Sequence, residues 1–519
     1  MKTLKKHLYI ITAALVFTST ACEKDFLDKE NKKDLSGSSF WKTKEHAEQG
    51  ILSTYAALRS AGGDKWTWFE ELYISSTYKS DEIINNKAEG YGKSLHSYTY
   101  TTDESTFTNL WHSCFAGISR ANQCIENIPN VSGNAQNGLS DEEKKMMIAE
   151  AKFLRGYYYF TLINYFKNIP LITKVQKEEI DFYPSEAKEE DIWNQIESDF
   201  KEGVQFLPES RAGNEVGRAT KYTAQAYLGK AYLFQEKFEN ANTEFAGVIN
   251  SGKYDLMANY GDNFNGAFEN NKESLFEIQF SADRTNSFDA RNPIAWEVSS
   301  YALNGWELFY PSPYLESEFM KDKTDNGTYS DRVYATLFFD DPNSKAPVVN
   351  EQGVEMKYSD VKDGLNYHVF FKKYAYPADL ADNKNYTGVN IHLMRFADVL
   401  LMHAEALNER GLTAEALTVV NRVRERAKAA PLVALSTAQL REQIRHHERP
   451  CELSMEFGIR WADLYRWARS KSAPEPIKTV LTNHNHEFAN NFINGKHDIY
   501  PVPFAEISKN PNIHQAKNW

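Results

Sequence analysis

Cysteine is scarce. Four in 519 residues cannot staple a disulfide scaffold, so a chain of this length must hold itself by a buried core. Basic charge is not in surplus either. Lys and Arg number 59 against 71 Asp and Glu, a formal net charge of −12, the reverse of the basic footprint that nucleic acid requires. No segment has the run of 18 apolar residues that suggests a membrane-spanning helix. Gly-x-Ser-x-Gly, the phosphate-cradling Gly-Lys loop and Gly-x-Gly-x-x-Gly are all missing. Apolar residues at 42% and charged residues at 25% are those of a globular protein and exclude global disorder. What is plentiful is the aromatic ring. With 31 Phe, 29 Tyr and 10 Trp, aromatics reach 13%, and many sit outside any regular apolar pattern.

The N-terminus reads as an address. Lys2, Lys5 and Lys6 precede an almost wholly apolar run from Leu8 to Phe17, then Thr18, Ser19, Thr20 and Ala21. A basic head, a short apolar stretch and small residues make a secretory signal over residues 1–21. Ser19-Thr20-Ala21-Cys22 resembles a bacterial lipobox, with Ser19 where leucine is usual. Cys22 is therefore expected to be acylated, followed by a tether over 22–40. The charged stretch Glu23-Lys24-Asp25 resembles the surface-export signal of Bacteroidota lipoproteins. Cys114, Cys124 and Cys451 are expected to be buried free thiols.

Helical periodicity organises the frame. Ala47, Ile51, Tyr55 and Leu58 predict a helix over about 43–60. Ser140 to Glu143 forms a capping box, opening a helix that Asn168-Ile169-Pro170 ends. Another runs from Glu189 to before Pro208. Leu228-Gly229, Tyr232, Ala241, Phe245 and Val248 fall at tetratricopeptide spacing, and Ala404, Leu407, Ala416 and Val420 give a second match. Such pairs must stack to bury their faces. Helices near 43–60 and 107–128, and near 141–168 and 189–206, supply the other pairs. From about 250 to 390, and from Ser60 to Tyr100, Gly, Asn, Asp and aromatics interleave, with strand-like pieces at Ser274–Phe280 and His368–Tyr374. Long aperiodic stretches inside a compact protein are usually functional loops.

Metal readings fail on spacing. His446-His447-Glu448 and His484-Asn485-His486-Glu487 lack the His-Glu-x-x-His register and read as solvated loop or helix surface. The calcium-like start at Asp322 meets Val333 where a bidentate Glu belongs. No metal and no cofactor are expected.

Three stretches carry a family resemblance. Ala149 to Phe160 with Asn168-Ile169-Pro170-Leu171 is one. Glu448-Arg449-Pro450-Cys451-Glu452-Leu453, with Glu456, Gly458, Arg460-Trp461, Asp463-Leu464 and Arg466-Trp467, is the second. Tyr500-Pro501-Val502-Pro503, Glu506-Ile507, Asn510-Pro511-Asn512 and Gln515 make the third. Together with Cys22 and Phe26-Leu27-Asp28, they resemble the SusD/RagB family across nearly the whole mature chain. The resemblance implies a mainly α fold, in which four tetratricopeptide-like helix pairs form a scaffold beside a loop-rich face with short strands. It implies one compact unit with an N-terminal region over 41–250 and a C-terminal region over 251–519 (loop-rich 251–390, helical 391–470, then an irregular tail). It implies a surface-exposed outer-membrane lipoprotein, without catalytic activity, that binds a glycan or other nutrient. Its partner would be a SusC-like, TonB-dependent barrel.

Sugars need flat rings for their apolar faces and planar polar groups for their hydroxyls. Trp66 and Trp68, after Gly62-Gly63, would share one side of an extended segment. In the central region Trp296, Tyr301, Trp306 and Tyr310 are available, with Asp81, Asn85 and Arg284 as polar partners. Trp461 and Trp467 are read as structural, with Arg460, Asp463 and Arg466 forming ion pairs around them. Two rival classes stay open. A secreted glycoside hydrolase needs two carboxylates about 5–10 Å apart, which 71 acidic residues leave possible. A pure scaffold would grip protein and no small ligand.

Overall fold

The computed structural model describes residues 40–59, 68–86, 90, 92–133, 137–281, 293–300, 305–349, 355–375, 387–456 and 458–519. Eight helices stack in series: α1 (Lys44–Ala56), α2 (Ser105–Asn127), α3 (Asp141–Tyr165), α4 (Glu189–Phe206), α5 (Lys221–Phe234), α6 (Phe238–Asn250), α7 (Phe396–Glu409) and α8 (Thr413–Arg426). Each packs on the next, and α6 meets α7 although some 145 residues separate them in sequence. The fold is mainly α, in four helix pairs, as the periodicity predicts.

The stack follows from local chemistry. At α3, Ser140 Oγ accepts from the Glu143 N–H, and the Glu143 carboxylate accepts from the Ser140 N–H. Asp141, Glu142 and Glu143 crowd the first turn, where the helix dipole favours negative charge. From Phe153 to Tyr165 every residue of α3 is buried, because α2 and α4 flank it. A Cβ on Gly229 would stand 2.7 Å from the Phe245 ring, so glycine sets the close approach of α5 to α6. Ala241, Phe245 and Val248 are all fully buried in that contact.

Among the described residues eight short strands form four antiparallel pairs. They are β1 (Ile83–Asn85) with β3 (Phe309–Pro311), β2 (Ser274–Ile278) with β8 (Ile391–Arg395), β4 (Leu337–Phe339) with β7 (Val369–Phe371), and β5 (Lys345–Val349) with β6 (Glu355–Lys357). The β2–β8 ribbon lies on the stack. Thr223 Oγ1 donates to Leu275 O at 2.7 Å, Tyr227 Oη donates to Leu393 O at 3.1 Å, and Phe276 packs edge-on against Phe153 and Tyr157.

Two aperiodic stretches hold helices that the sequence pattern conceals. Residues Trp68–Lys79 form one, within a segment read as irregular, because burial of Leu72, Tyr73, Ser75, Ser76 and Lys79 blurs any apolar stripe. The other is Pro313–Lys321. Ser312 caps it by accepting from the Leu315 N–H, Pro313 sits at its first turn, and Tyr314, Leu315 and Phe319 are buried.

The charged motif near the C-terminus is interior. Arg449 binds Asp463 at 2.6 Å and Asp398 of α7 at 2.8 Å. Arg466 binds Asp463 at 2.8 Å and Glu405 of α7 at 2.6 Å. Arg460 crosses to Asp81. The ion pairs expected around Trp461 and Trp467 are present, and both indoles are buried. The charges fasten the helix stack to the loop-bearing half. Asp322 is no calcium ligand either, since its carboxylate accepts from Arg332 and Ser330. Cys114, Cys124 and Cys451 are buried free thiols. No helix of the described residues is long and apolar enough to cross a membrane.

This interior predicts an acid limb of stability. Burial pushes the carboxyls of Asp398, Glu405 and Glu456 up, but their Lys and Arg partners outweigh it and hold each at about 2. Burial holds His486 and His497 at about 3. All five groups bind protons more readily unfolded than folded, so stability is lost as pH falls: the imidazoles contribute from about 6.5 down, the carboxylates from about 4.5. Thermal melts are expected to show a melting temperature that falls steeply below about pH 4.5; above that, the loss at the imidazoles is opposed by Glu82 and Glu297, whose carboxyls burial raises to about 8 in the fold. A flat profile down to pH 3 would contradict the ion-pair assignment.

Candidate functional site

Two segments more than two hundred residues apart are sewn together at β1 and β3. Ile83, Ile84 and Asn85 pair with Pro311, Tyr310 and Phe309. Hydrogen bonds extend the seam at both ends. Asn86 N donates to Leu308 O at 3.0 Å and its Nδ2 to Glu307 O at 2.8 Å. Ser312 N donates to Glu82 O at 2.9 Å and its Oγ to Asp81 O at 2.6 Å. The strand that follows the helix Trp68–Lys79 and the strand of the central region are therefore joined along residues 81–86 and 307–312.

Aromatic rings line this seam. Tyr310 stacks on half-buried Tyr367 with centroids 4.5 Å apart, and Tyr310 Oη donates to Glu307 at 2.6 Å. Glu307 also accepts from the exposed Asn366 amide at 3.0 Å. Trp306 is half-buried and packs against Ala295. Tyr367 and Asn366 escaped the sequence reading. Their only signal was the neighbouring strand-like piece from His368.

The polar candidates fare differently from the rings. Asp81 is 2% exposed. Arg460 grips both its oxygens at 2.7 and 2.6 Å, and His484 Nδ1 adds a contact at 2.6 Å. Burial raises its pKa, but Arg460 and His484 outweigh that and hold the carboxyl well below the usual carboxylate range. Both oxygens of Asp81 are thus engaged in the interior, by Arg460 and His484. Asn85 is buried within β1, which places its side chain in the seam and away from open solvent. Glu82 beside them is pushed up to about 8 by burial against the pull of Arg460, and burial likewise raises Glu297 to about 8. Trp68 opens the helix Trp68–Lys79, where an extended segment was expected. Trp296 lies in the short helix Ile294–Val298. The side chains of Trp68 and Trp296 are outside the described residues, as are Cys22, Trp66, Arg284 and Tyr301.

Behind Asp81 opens a cleft of about 710 Å³. Its floor is Tyr314 stacked on His484, with centroids 3.5 Å apart and planes 7° from parallel. Gln439, Gln443, Asn483 and Asn485 supply amides around it. His446 and His447 also line it, and Glu448 is fully buried. These residues form a π-helical turn, Ile444–Glu448, and not the solvated surface expected of them. A second cleft, of about 620 Å³, lies against α2, where Phe182 and Tyr183 are 57% and 40% exposed.

Comparison with known proteins agrees with this geometry. A model described as the SusD family matches residues 272–519, and one described as "Starch-binding associating with outer membrane" matches residues 25–233. The SusD-like protein P2 of Formosa agariphila is 26% identical over 535 residues, with 98% of each chain covered. A SusD superfamily protein of Bacteroides vulgatus superposes with a TM-score of 0.80 at 22% identity, covering 92% of this chain and 100% of that one. A laminarin-binding SusD-like protein superposes at 0.70 and 24% identity, with the same coverage. Family models on both halves of the sequence, in order, and a fold shared over 92% of the chain lead to one placement: the chain belongs to the SusD/RagB family.

Proposed function

We propose that this protein captures a glycan at the outer surface of the cell and hands it to a SusC-like, TonB-dependent barrel. The observation that supports the reading is the β1–β3 seam, which pairs Ile83–Asn85 with Phe309–Pro311 and so joins the two distant segments from which the contacts are drawn. Trp66, Trp68, Arg284, Trp296, Tyr301 and Trp306 are the ligand contacts we assign there. Flat rings take the apolar face of a sugar, while amides and a guanidinium meet its hydroxyls. The net charge of −12 favours a neutral polysaccharide over a polyanion. Starch and laminarin, named for relatives of this chain, are the first ligands to offer it. Capture requires no bond to be made or broken, and we assign no catalytic step.

The address completes the proposal. Residues 1–21 direct export, and acylated Cys22 holds the protein on the outer membrane, since several acyl chains, each CH₂ worth about 0.8 kcal/mol, anchor firmly. Two measurements test it. A glycan array probed with the chain from residue 23 is expected to show binding to a neutral polysaccharide without release of reducing ends. Cys22→Ala is expected to move the protein from the membrane to the soluble fraction. Membrane retention of Cys22→Ala, or hydrolysis of a bound glycan, would contradict the reading.

A further inference from the structure

The geometry points to a divalent transition-metal site on the wall of the 710 Å³ cleft, formed by Glu442, His446 and Glu475. The sequence separates these residues into two segments, and a turn of π-helix brings them together. His446 Nε2 stands 2.8 Å from Glu475 Oε1 and 3.8 Å from Glu442 Oε2. One ligand atom from each residue lies within 4.8 Å of the others. Around a tetrahedral ion with bonds of 2.0–2.1 Å, ligand atoms stand about 3.3 Å apart. The two separations from His446 straddle that value, and the third, between the two carboxylates, lies within 4.8 Å.

The site is held from behind. The imidazole of His446 packs edge-on against His484 at 5.2 Å and near the Trp467 indole at 6.4 Å. Its main-chain oxygen accepts from Tyr314 Oη at 2.7 Å. Arg445 reaches the other oxygen of Glu475 at 3.4 Å, which fixes that carboxylate while leaving Oε1 toward His446. Glu442 is exposed at the cleft edge, giving an ion a path in. All three residues line the cleft, so the remaining coordination position opens to whatever oxygen a ligand presents there. One imidazole and two carboxylates suit zinc and its neighbours, whereas calcium takes oxygen donors alone. This inference is independent of the glycan reading, because the ion itself is the probe.

The test is calorimetric titration of chelator-stripped full chain with zinc chloride, repeated for Glu442→Gln and His446→Ala. One saturable site is expected, weakened at least tenfold by each substitution. Calcium at the same concentrations is expected to give no heat and no competition. No saturable zinc binding, zinc binding unchanged in both variants, or calcium binding tighter than zinc would each overturn the proposal. If His446→Ala does not fold, Glu442→Gln decides alone, since that side chain is 66% exposed and bears no packing load.

Discussion

Arg395→Met is expected to cost the fold about 3–5 kcal/mol, the loss seen when one partner of a buried ion pair is removed. The residue closes β8 at 1% exposure and meets three glutamates at once. Its Nε and Nη2 bond Glu456 at 2.8 and 2.6 Å, and its Nη1 bonds Glu273 and, at 3.1 Å, Glu452. Nη2 also donates to Glu452 O at 3.1 Å. Arg426, Lys373 and, at 3.8 Å, Arg332 share these carboxylates, but Arg332 also serves Asp322 and Glu448, so removal of Arg395 leaves buried negative charge unbalanced. Methionine fills the space without the charge, so the measured loss reports the stranded carboxylates and not a cavity. Arg395→Lys is expected to fall nearly as far, because an ammonium cannot span three acceptors as the guanidinium fork does. Arg422→Met, which breaks an exposed pair with Asp255 at 2.8 Å, is expected to cost under about 1 kcal/mol. Urea denaturation followed by tryptophan fluorescence compares the three. Equal costs for Arg395→Met and Arg422→Met would show that the buried network does not join the stack to the loop-bearing half.

Replacing Trp66 and Trp68 together by alanine is expected to weaken glycan binding by about 30-fold or more. An aromatic anchor at a binding centre contributes about 2 kcal/mol or more when truncated, neighbouring anchors do not add, and about 1.4 kcal/mol is tenfold in affinity. Trp306→Ala is expected to act in the same direction. That change also removes packing against Ala295, so its melting temperature should fall where that of an exposed-ring variant would not. Binding by the Trp66/Trp68 variant within threefold of wild type would move the site elsewhere.

The helix pairs were legible because a helix writes its period and its caps into neighbouring residues. Ser140 to Glu143 marks the start of α3, and Gly229 with Phe245 marks the α5–α6 crossing. The helix Trp68–Lys79 was not legible, since its buried hydroxyls and lysine break the contrast between faces on which periodicity depends. The candidate site was legible in its ingredients and not in its assembly. Asp81 looks like a free acid until Arg460, 379 positions later, is seen to occupy it. Glu475 gives no sign that it faces His446, because that contact depends on a π-turn and on packing between separate segments. Local propensity fixes elements, whereas pairing across hundreds of residues is decided by the whole core. The same limit hid Tyr367, whose partner Tyr310 sits in another strand pair.

The central claim is that the seam-joined loops, and not the helix stack, hold the glycan. Titrating laminarin and soluble starch into three proteins tests it directly: wild type, Trp66→Ala/Trp68→Ala, and Phe182→Ala/Tyr183→Ala, which strips the exposed rings of the cleft beside α2. The account predicts that whichever polysaccharide binds wild type loses about 30-fold or more in the first variant and keeps its affinity in the second. Loss confined to the Phe182/Tyr183 variant would place the ligand on the stack and contradict it.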